Sequence, residues 1–248
     1  AIDSSNNVYA VGYTKCTTLD GQNLSGGDRD LVLQKYNSAG TKQWTKLLGS
    51  NNPAGKKTYG WGLALDASGN IYIGGDTTAN LDGNTLIGTE DCILVKYNSA
   101  GAKQWTKTLG VASKGADCDQ VAIHGSNLYL AGYTGGNLGS QTKTGTEDLV
   151  LNKYDLDGNR ASTTLLGVSG ATTYSNGVAV DSNGNVFVGG DTDGSLPGHI
   201  KVGNRDALAV MYNADGTTKV WSDQFGVSGI ESTVKKYTQS IAVDGSGN

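Results

Sequence analysis

The chain has 248 residues and is rich in Gly (38) but carries only 2 Pro, 1 Met and 2 Phe, a bias that excludes a helical bundle and, with Gly far short of every third residue, collagen. Its 37% hydrophobic content is enough to bury a core, so it does not read as a disordered chain. A formal net charge of -4 offers no concentrated basic surface for nucleic acid, and no apolar stretch approaches the roughly 20 residues that a membrane-spanning helix needs.

Taken in order, the chain repeats itself four times. One register runs through Asp30–Tyr36, Asp91–Tyr97, Asp148–Tyr154 and Asp206–Tyr212, at spacings of 61, 57 and 58 residues. A second runs through Asn7–Gly12, Asn70–Gly75, Asn127–Gly132 and Asn185–Gly190. Fixed periods of this length signal a repeat architecture. Each unit predicts four short strands; in the second they are 63–66, 70–75, 91–97 and 103–109, joined at 67–70 and 98–101 by Gly/Asn/Ser hairpin turns. The third strand is apolar on both alternations, with Cys92 and Leu94 on one side and Ile93, Val95 and Tyr97 on the other. It must be covered on both faces, which predicts an all-β propeller of four-stranded antiparallel blades. Repeat boundaries fall at about 1–62, 63–120, 121–177 and 178–240, with 241–248 starting a further unit.

The segments Asp66–Gly75, Leu81–Thr85, Gly88–Asp91 and Lys103–Lys107 resemble the SBBP family of bacterial β-propeller repeats. That resemblance implies a propeller and a secreted or surface-attached bacterial protein, often a lipoprotein, and implies no catalytic residue. The third unit departs from it, with Ala161–Thr164 where the others carry Trp44, Trp105 and Trp221. Because Ala1–Asp3 and Ile241–Asp244 copy the same first-strand piece, three arrangements stay open: a closed four-bladed ring, an arc of a larger propeller, or an arc completed by a second copy.

Common catalytic constellations are absent: there is no GxSxG, Walker, HExxH or GxGxxG motif, and His124 and His199 are the only histidines. Cys16, Cys92 and Cys118 lack CxxC spacing, which indicates neither a disulfide framework nor a zinc site, although an odd count allows an intermolecular bridge. The expectation is no cofactor; Asp155–Asn159 and Leu81–Asn84 are turn chemistry, with calcium as the alternative reading. Asp30, Asp91, Asp148 and Asp206 recur at the start of the third strand and are read as structural carboxylates that accept N–H bonds from the preceding loop.

In a four-stranded meander the connections alternate between ends, so the long loops 14–29, 76–90, 134–147 and 192–205, with 49–60, 110–119, 167–176 and 226–238, share one end. Two aligned columns lie there: Tyr59, Asp117, Tyr174 and Tyr237 before the first strand, with Trp61 nearby, and Tyr13, Asp76, Tyr133 and Asp191 after the second. Aromatic rings beside carboxylates suit stacking on sugars or docking of a protein, and interblade packing is the alternative. The functional expectation is a non-enzymatic extracellular or cell-surface scaffold that binds a protein or glycan. The rivals are a polysaccharide hydrolase or lyase using Asp76, Asp117 or Asp191, and a structural unit of a homo-oligomeric ring or filament, or of one completed by further blades.

Overall fold

The computed structural model describes residues 1–50, 55–228 and 240–244; Tyr237 lies outside them, as does most of the 226–238 loop. Every regular element among them is a β-strand. The chain divides into two compact units, Ala1–Cys118 and Asp119–Asn248.

In the first unit β1 (Val8–Thr14), β4 (Asp30–Tyr36) and β5 (Lys42–Leu48) form one sheet, and a small hairpin of β2 (Thr18–Leu19) and β3 (Gln22–Asn23) lies in the loop after β1. This first sheet has three strands where the repeat predicts four, and in place of an inner strand the short stretch Ala1–Asp3 pairs with Asn7–Tyr9. The second sheet is complete and antiparallel, in the order β6 (Thr58–Leu65), β7 (Ile71–Thr77), β8 (Asp91–Tyr97), β9 (Lys103–Leu109). Its β8 is buried on both faces, and Ile71, Ile73, Ile93 and Val95 pack with Tyr9, Leu31, Leu33 and Leu48 of the first sheet.

The second unit holds two complete antiparallel sheets. One is β10 (Ala116–His124), β11 (Asn127–Thr134), β12 (Asp148–Asp155) and β13 (Arg160–Leu166), with β10 starting in the last residues of the first unit. The other is β14 (Thr173–Val180), β15 (Val186–Thr192), β16 (Asp206–Tyr212) and β17 (Lys219–Phe225). Tyr129, Leu149 and Leu151 meet Val178, Val188, Leu208 and Val210 between them.

Each inner strand starts five residues before the repeat boundary read from the sequence, at Thr58, Ala116 and Thr173. A local pairing explains the difference. Within the first unit, Thr58 N–H donates to the Arg29 carbonyl and Ala116 N–H to the Glu90 carbonyl; within the second, Thr173 N–H donates to the Glu147 carbonyl. Parallel bridges Arg29–Lys57, Glu90–Gly115 and Glu147–Thr172 flank these bonds. The backbone just before each third strand is thereby paired with the start of the following inner strand, satisfying groups that a loop would leave to water.

The strand-start aspartates brace this seam. Asp30, Asp91, Asp148 and Asp206 are fully buried. Asp91 accepts the amides of Ile87 and Gly88, both at 2.8 Å, Asp148 those of Thr144 and Gly145, both at 2.7 Å, and Asp206 those of Val202 and Gly203. Among the described residues Asp30 accepts the Ser25 amide, and its Oδ1 has no partner there. A glycine after the fourth strand faces each carboxylate: a Cβ at Gly110 would lie 1.9 Å from Asp91 Oδ1.

The third sheet's missing tryptophan is replaced by backbone. Tyr9–Trp44, Tyr72–Trp105 and Phe187–Trp221 pair their rings at 6.1 Å. Where Ser162 stands instead, the turn after β16 bonds into the vacated space. Tyr129 Oη donates to Ala214 O at 2.6 Å, and Thr164 Oγ1 to Gly216 O at 2.7 Å.

One sequence expectation is overturned. Cys92 and Cys118 form a buried disulfide, while Cys16 is free and exposed. The pair occupies the seam, where Leu31 meets Gly60 at the corresponding place in the first and second sheets. CxxC spacing was the wrong criterion, because the repeat topology brings residues 26 apart side by side. Closing a loop of that length stabilises by about 3.5 kcal/mol in the chain-entropy account.

Gly110→Ala should therefore destabilise the protein by about 2–3 kcal/mol, through overpacking and lost carboxylate bonds, as read from the urea midpoint. An unchanged midpoint would show that the contact is slack. Replacing Cys92 and Cys118 with Ser should cost a comparable amount, and the oxidised parent should lose 2 Da in mass relative to the reduced chain.

Candidate functional site

The long-loop end of each unit gathers side chains from four places: the end of the second strand, the residue before the third, and two positions at the start of the inner strand. In the first unit the inner strand β6 carries a bulge. Gly60 pairs with Gly75 and Gly62 with Gly74, leaving Trp61 without a partner in the ladder. A bulge re-aims the side chain it contains, and the Trp61 indole N–H donates to Asp76 Oδ1. Gly75 is required opposite, since a Cβ there would sit 2.0 Å from the Tyr59 carbonyl oxygen.

Tyr59 stacks on Trp61 at 5.0 Å, and Tyr13 meets both edge-on, at 4.9 Å and 5.8 Å. Arg29 donates to the Tyr59 hydroxyl and lies 5.3 Å from the ring centroids of both Tyr13 and Tyr59. Tyr59 is buried, whereas Tyr13 is 45% and Trp61 41% exposed. The rings therefore form a fixed cluster with one open side.

Asp76 is 1% exposed and faces two further carboxyl groups, Asp117 and Glu90. Burial first, then the charge of Asp117, then the bond and charge of Glu90 push its pKa far above the ordinary carboxylate range, against the opposing Trp61 bond. Geometry agrees, because Asp76 Oδ2 is buried and receives no hydrogen bond from a donor among the described residues. A proton on that oxygen, shared towards Glu90, removes both the charge and the orphan. The disulfide sets this arrangement: Asp76 is the ladder partner of Cys92, and Asp117 directly precedes Cys118.

The second unit builds the same framework with other chemistry. Asn176 occupies the bulge position of β14 and donates to Asp191 Oδ2 at 2.8 Å. Arg205 is ion-paired with Asp191, donates to Thr172 Oγ1 at 2.7 Å and covers the Tyr174 ring at 4.7 Å. Tyr174 donates to Glu147 and meets Tyr133 edge-on at 4.6 Å. Burial, followed by the Glu147 bond and charge, pushes the Tyr174 hydroxyl up to about 12.

The structure thus brings Tyr13, Tyr59, Trp61, Asp76 and Asp117 together in the first unit, and Tyr133, Tyr174 and Asp191 in the second. Tyr59, Asp117 and Tyr174 lie inside the inner strands rather than before them. Sequence reasoning missed a third column, Arg29, Glu90, Glu147 and Arg205. All four immediately precede the strand-start aspartates, so the repeat alignment that found the aspartates could have found them. The two candidate calcium stretches spend oxygens on protein donors: Asp155 on the Asp157 and Asn159 amides, and Asp82 on Lys103 and Thr106.

Asp76 supplies a pH test. Its folded pKa lies above its unfolded value of ~4, so its contribution to stability is complete below that pH and is lost as pH rises towards the folded value. Asp76→Asn keeps an acceptor for Trp61 and should flatten the decline of stability between pH 5 and 9 relative to the parent, to about the precision of a urea titration. An identical slope in both proteins would show that Asp76 does not hold a proton.

Two segments, 43–82 and 163–197, match the profile of the SBBP beta-propeller repeat, which bears out the resemblance seen in the sequence. The chain is 27% identical over 246 residues to the regulatory protein FlaEY of Caulobacter vibrioides, with 88% of this chain covered. It spans 25% of that relative's length. Among solved structures, the NanB sialidase of Streptococcus pneumoniae superposes with a TM-score of 0.45 at 10% identity, over 81% of this chain and 29% of that one. A protein of unknown function from Bacteroides caccae superposes with a TM-score of 0.30 at 10% identity, over 79% of this chain and 78% of that one.

Proposed function

We propose that this chain is a propeller-type binding scaffold, extracellular or on a bacterial cell surface, whose long-loop end engages a protein or glycan. The observation that carries this reading is the aromatic cluster of the first unit. Its rings are fixed from below by Arg29 and Asp76 while Tyr13 and Trp61 stay open to solvent. Rigid, partly exposed aromatic rings supply contact area at little entropic cost, which is the property of an anchor for a ligand. The buried disulfide supports an oxidising compartment. No helix among the described residues is long and apolar enough to cross a membrane.

A catalytic reading draws support from one feature, the buried carboxyl of Asp76, whose pKa burial, Asp117 and Glu90 raise. A polysaccharide hydrolase or lyase could use it as a general acid. Such an enzyme would show a bell-shaped pH–rate profile that Asp76→Asn abolishes; background rates at every pH would remove it.

The scaffold reading is tested on a printed array of glycans and bacterial envelope proteins. Tyr13→Ala with Trp61→Ala should weaken binding by about tenfold or more. Gln43→Ala with Gln104→Ala, exposed at the turn end of the sheets, should leave it within about twofold. Full binding by the first variant would place the binding surface elsewhere.

A further inference from the structure

We infer that the first unit's aromatic cluster is a subsite for a neutral pyranose, stacked on the open side of Trp61. This rests on the scaffold reading above and narrows its ligand. Trp61 has one ring face against Tyr59, is held at its indole nitrogen by Asp76, and remains 41% exposed. A pyranose presents an apolar C–H face to a π-system and hydroxyl groups around its edge. Next to Asp76, which holds the indole nitrogen, Glu90 is only partly buried and can accept a bond from such a hydroxyl.

Charge excludes the acidic sugars. Three carboxyl groups, Asp76, Glu90 and Asp117, gather at this site, and the Arg29 guanidinium bonds the Tyr59 hydroxyl. Arg29 donates to the Tyr59 hydroxyl and lies against two rings, so its guanidinium is turned towards the aromatic cluster and away from a sugar carboxylate or sulfate. The second unit lacks the platform: Asn176 replaces the indole, and Arg205 covers Tyr174. The two units therefore differ at this position, and the subsite belongs to the first.

The test is saturation-transfer NMR and tryptophan fluorescence on the whole 248-residue chain. The probes are the neutral trisaccharides cellotriose, maltotriose and mannotriose, with trigalacturonate and sialyllactose as acidic probes of similar size. At least one neutral probe should bind saturably and lose about tenfold or more in affinity in Trp61→Ala. Trp61→Phe should recover most of that loss, Tyr174→Ala should leave binding within about twofold, and both acidic probes should bind at least about tenfold more weakly.

Saturable binding of an acidic probe as tightly as any neutral one overturns the ligand class, as does the absence of neutral binding in a protein whose array ligand is still lost on removing Trp61. In both cases the binding face survives. Neutral binding that Trp61→Ala leaves intact overturns the subsite. Loss of binding in Trp61→Ala counts only with an unchanged urea midpoint; otherwise the comparison of Trp61→Phe with Tyr174→Ala decides.

Discussion

The structure depends on a seam, the short parallel pairing by which the residues before one third strand hold the start of the next inner strand. Backbone bonds from Thr58 to Arg29, from Ala116 to Glu90 and from Thr173 to Glu147 draw it tight within their units. The buried aspartate one residue further on fixes the loop from the other side. An unpaired backbone group or carboxylate would be costly at these depths, so each element of the seam requires the others. The same few residues that hold the sheets also carry the side chains of the candidate site. Position in the site is a by-product of stability.

That coupling explains how one repeat supports two chemistries. The framework needs the backbone pairing, the strand-start aspartate and the glycine opposite the bulge, and it tolerates change at the residues projecting from them. In the first unit those residues make rings bonded to a buried carboxyl; in the second they make an Arg205–Asp191 ion pair with a tyrosine bonded to Glu147. The disulfide is a variation of the same kind. It replaces the apolar Leu31–Gly60 contact and holds Asp117 next to Asp76, a neighbour that raises the pKa of Asp76. A covalent link can impose a juxtaposition that burial and repulsion would otherwise oppose.

Much of this was legible in the sequence because the repeat writes each position several times. The strands at Asp30, Asp91, Asp148 and Asp206 start where their shared pattern placed them. The inner strands were read five residues short because their first residues pair with another sheet, and hydrophobic alternation inside one strand carries no trace of that. The bulges at Trp61 and Asn176 were hidden for a similar reason, since a bulge breaks the alternation by which strands are recognised. Cys92 and Cys118 looked unrelated on spacing alone, yet they are aligned with Leu31 and Gly60, two residues that touch. The missing tryptophan at Ser162 signalled a weaker outer edge, but the turn at Ala214–Gly216 fills that space with hydrogen bonds.

The most direct test of the seam as the device that positions the site is the Trp61 indole 1H–15N resonance, assigned by Trp61→Phe and followed as the Cys92–Cys118 bond is reduced in the folded protein. The account predicts that this resonance shifts as Asp117 relaxes away from Asp76, while the Trp44 resonance, at the turn end of the first sheet, stays in place. A Trp61 resonance unmoved by complete reduction would contradict it, and would mean that the carboxyl cluster is held by packing alone.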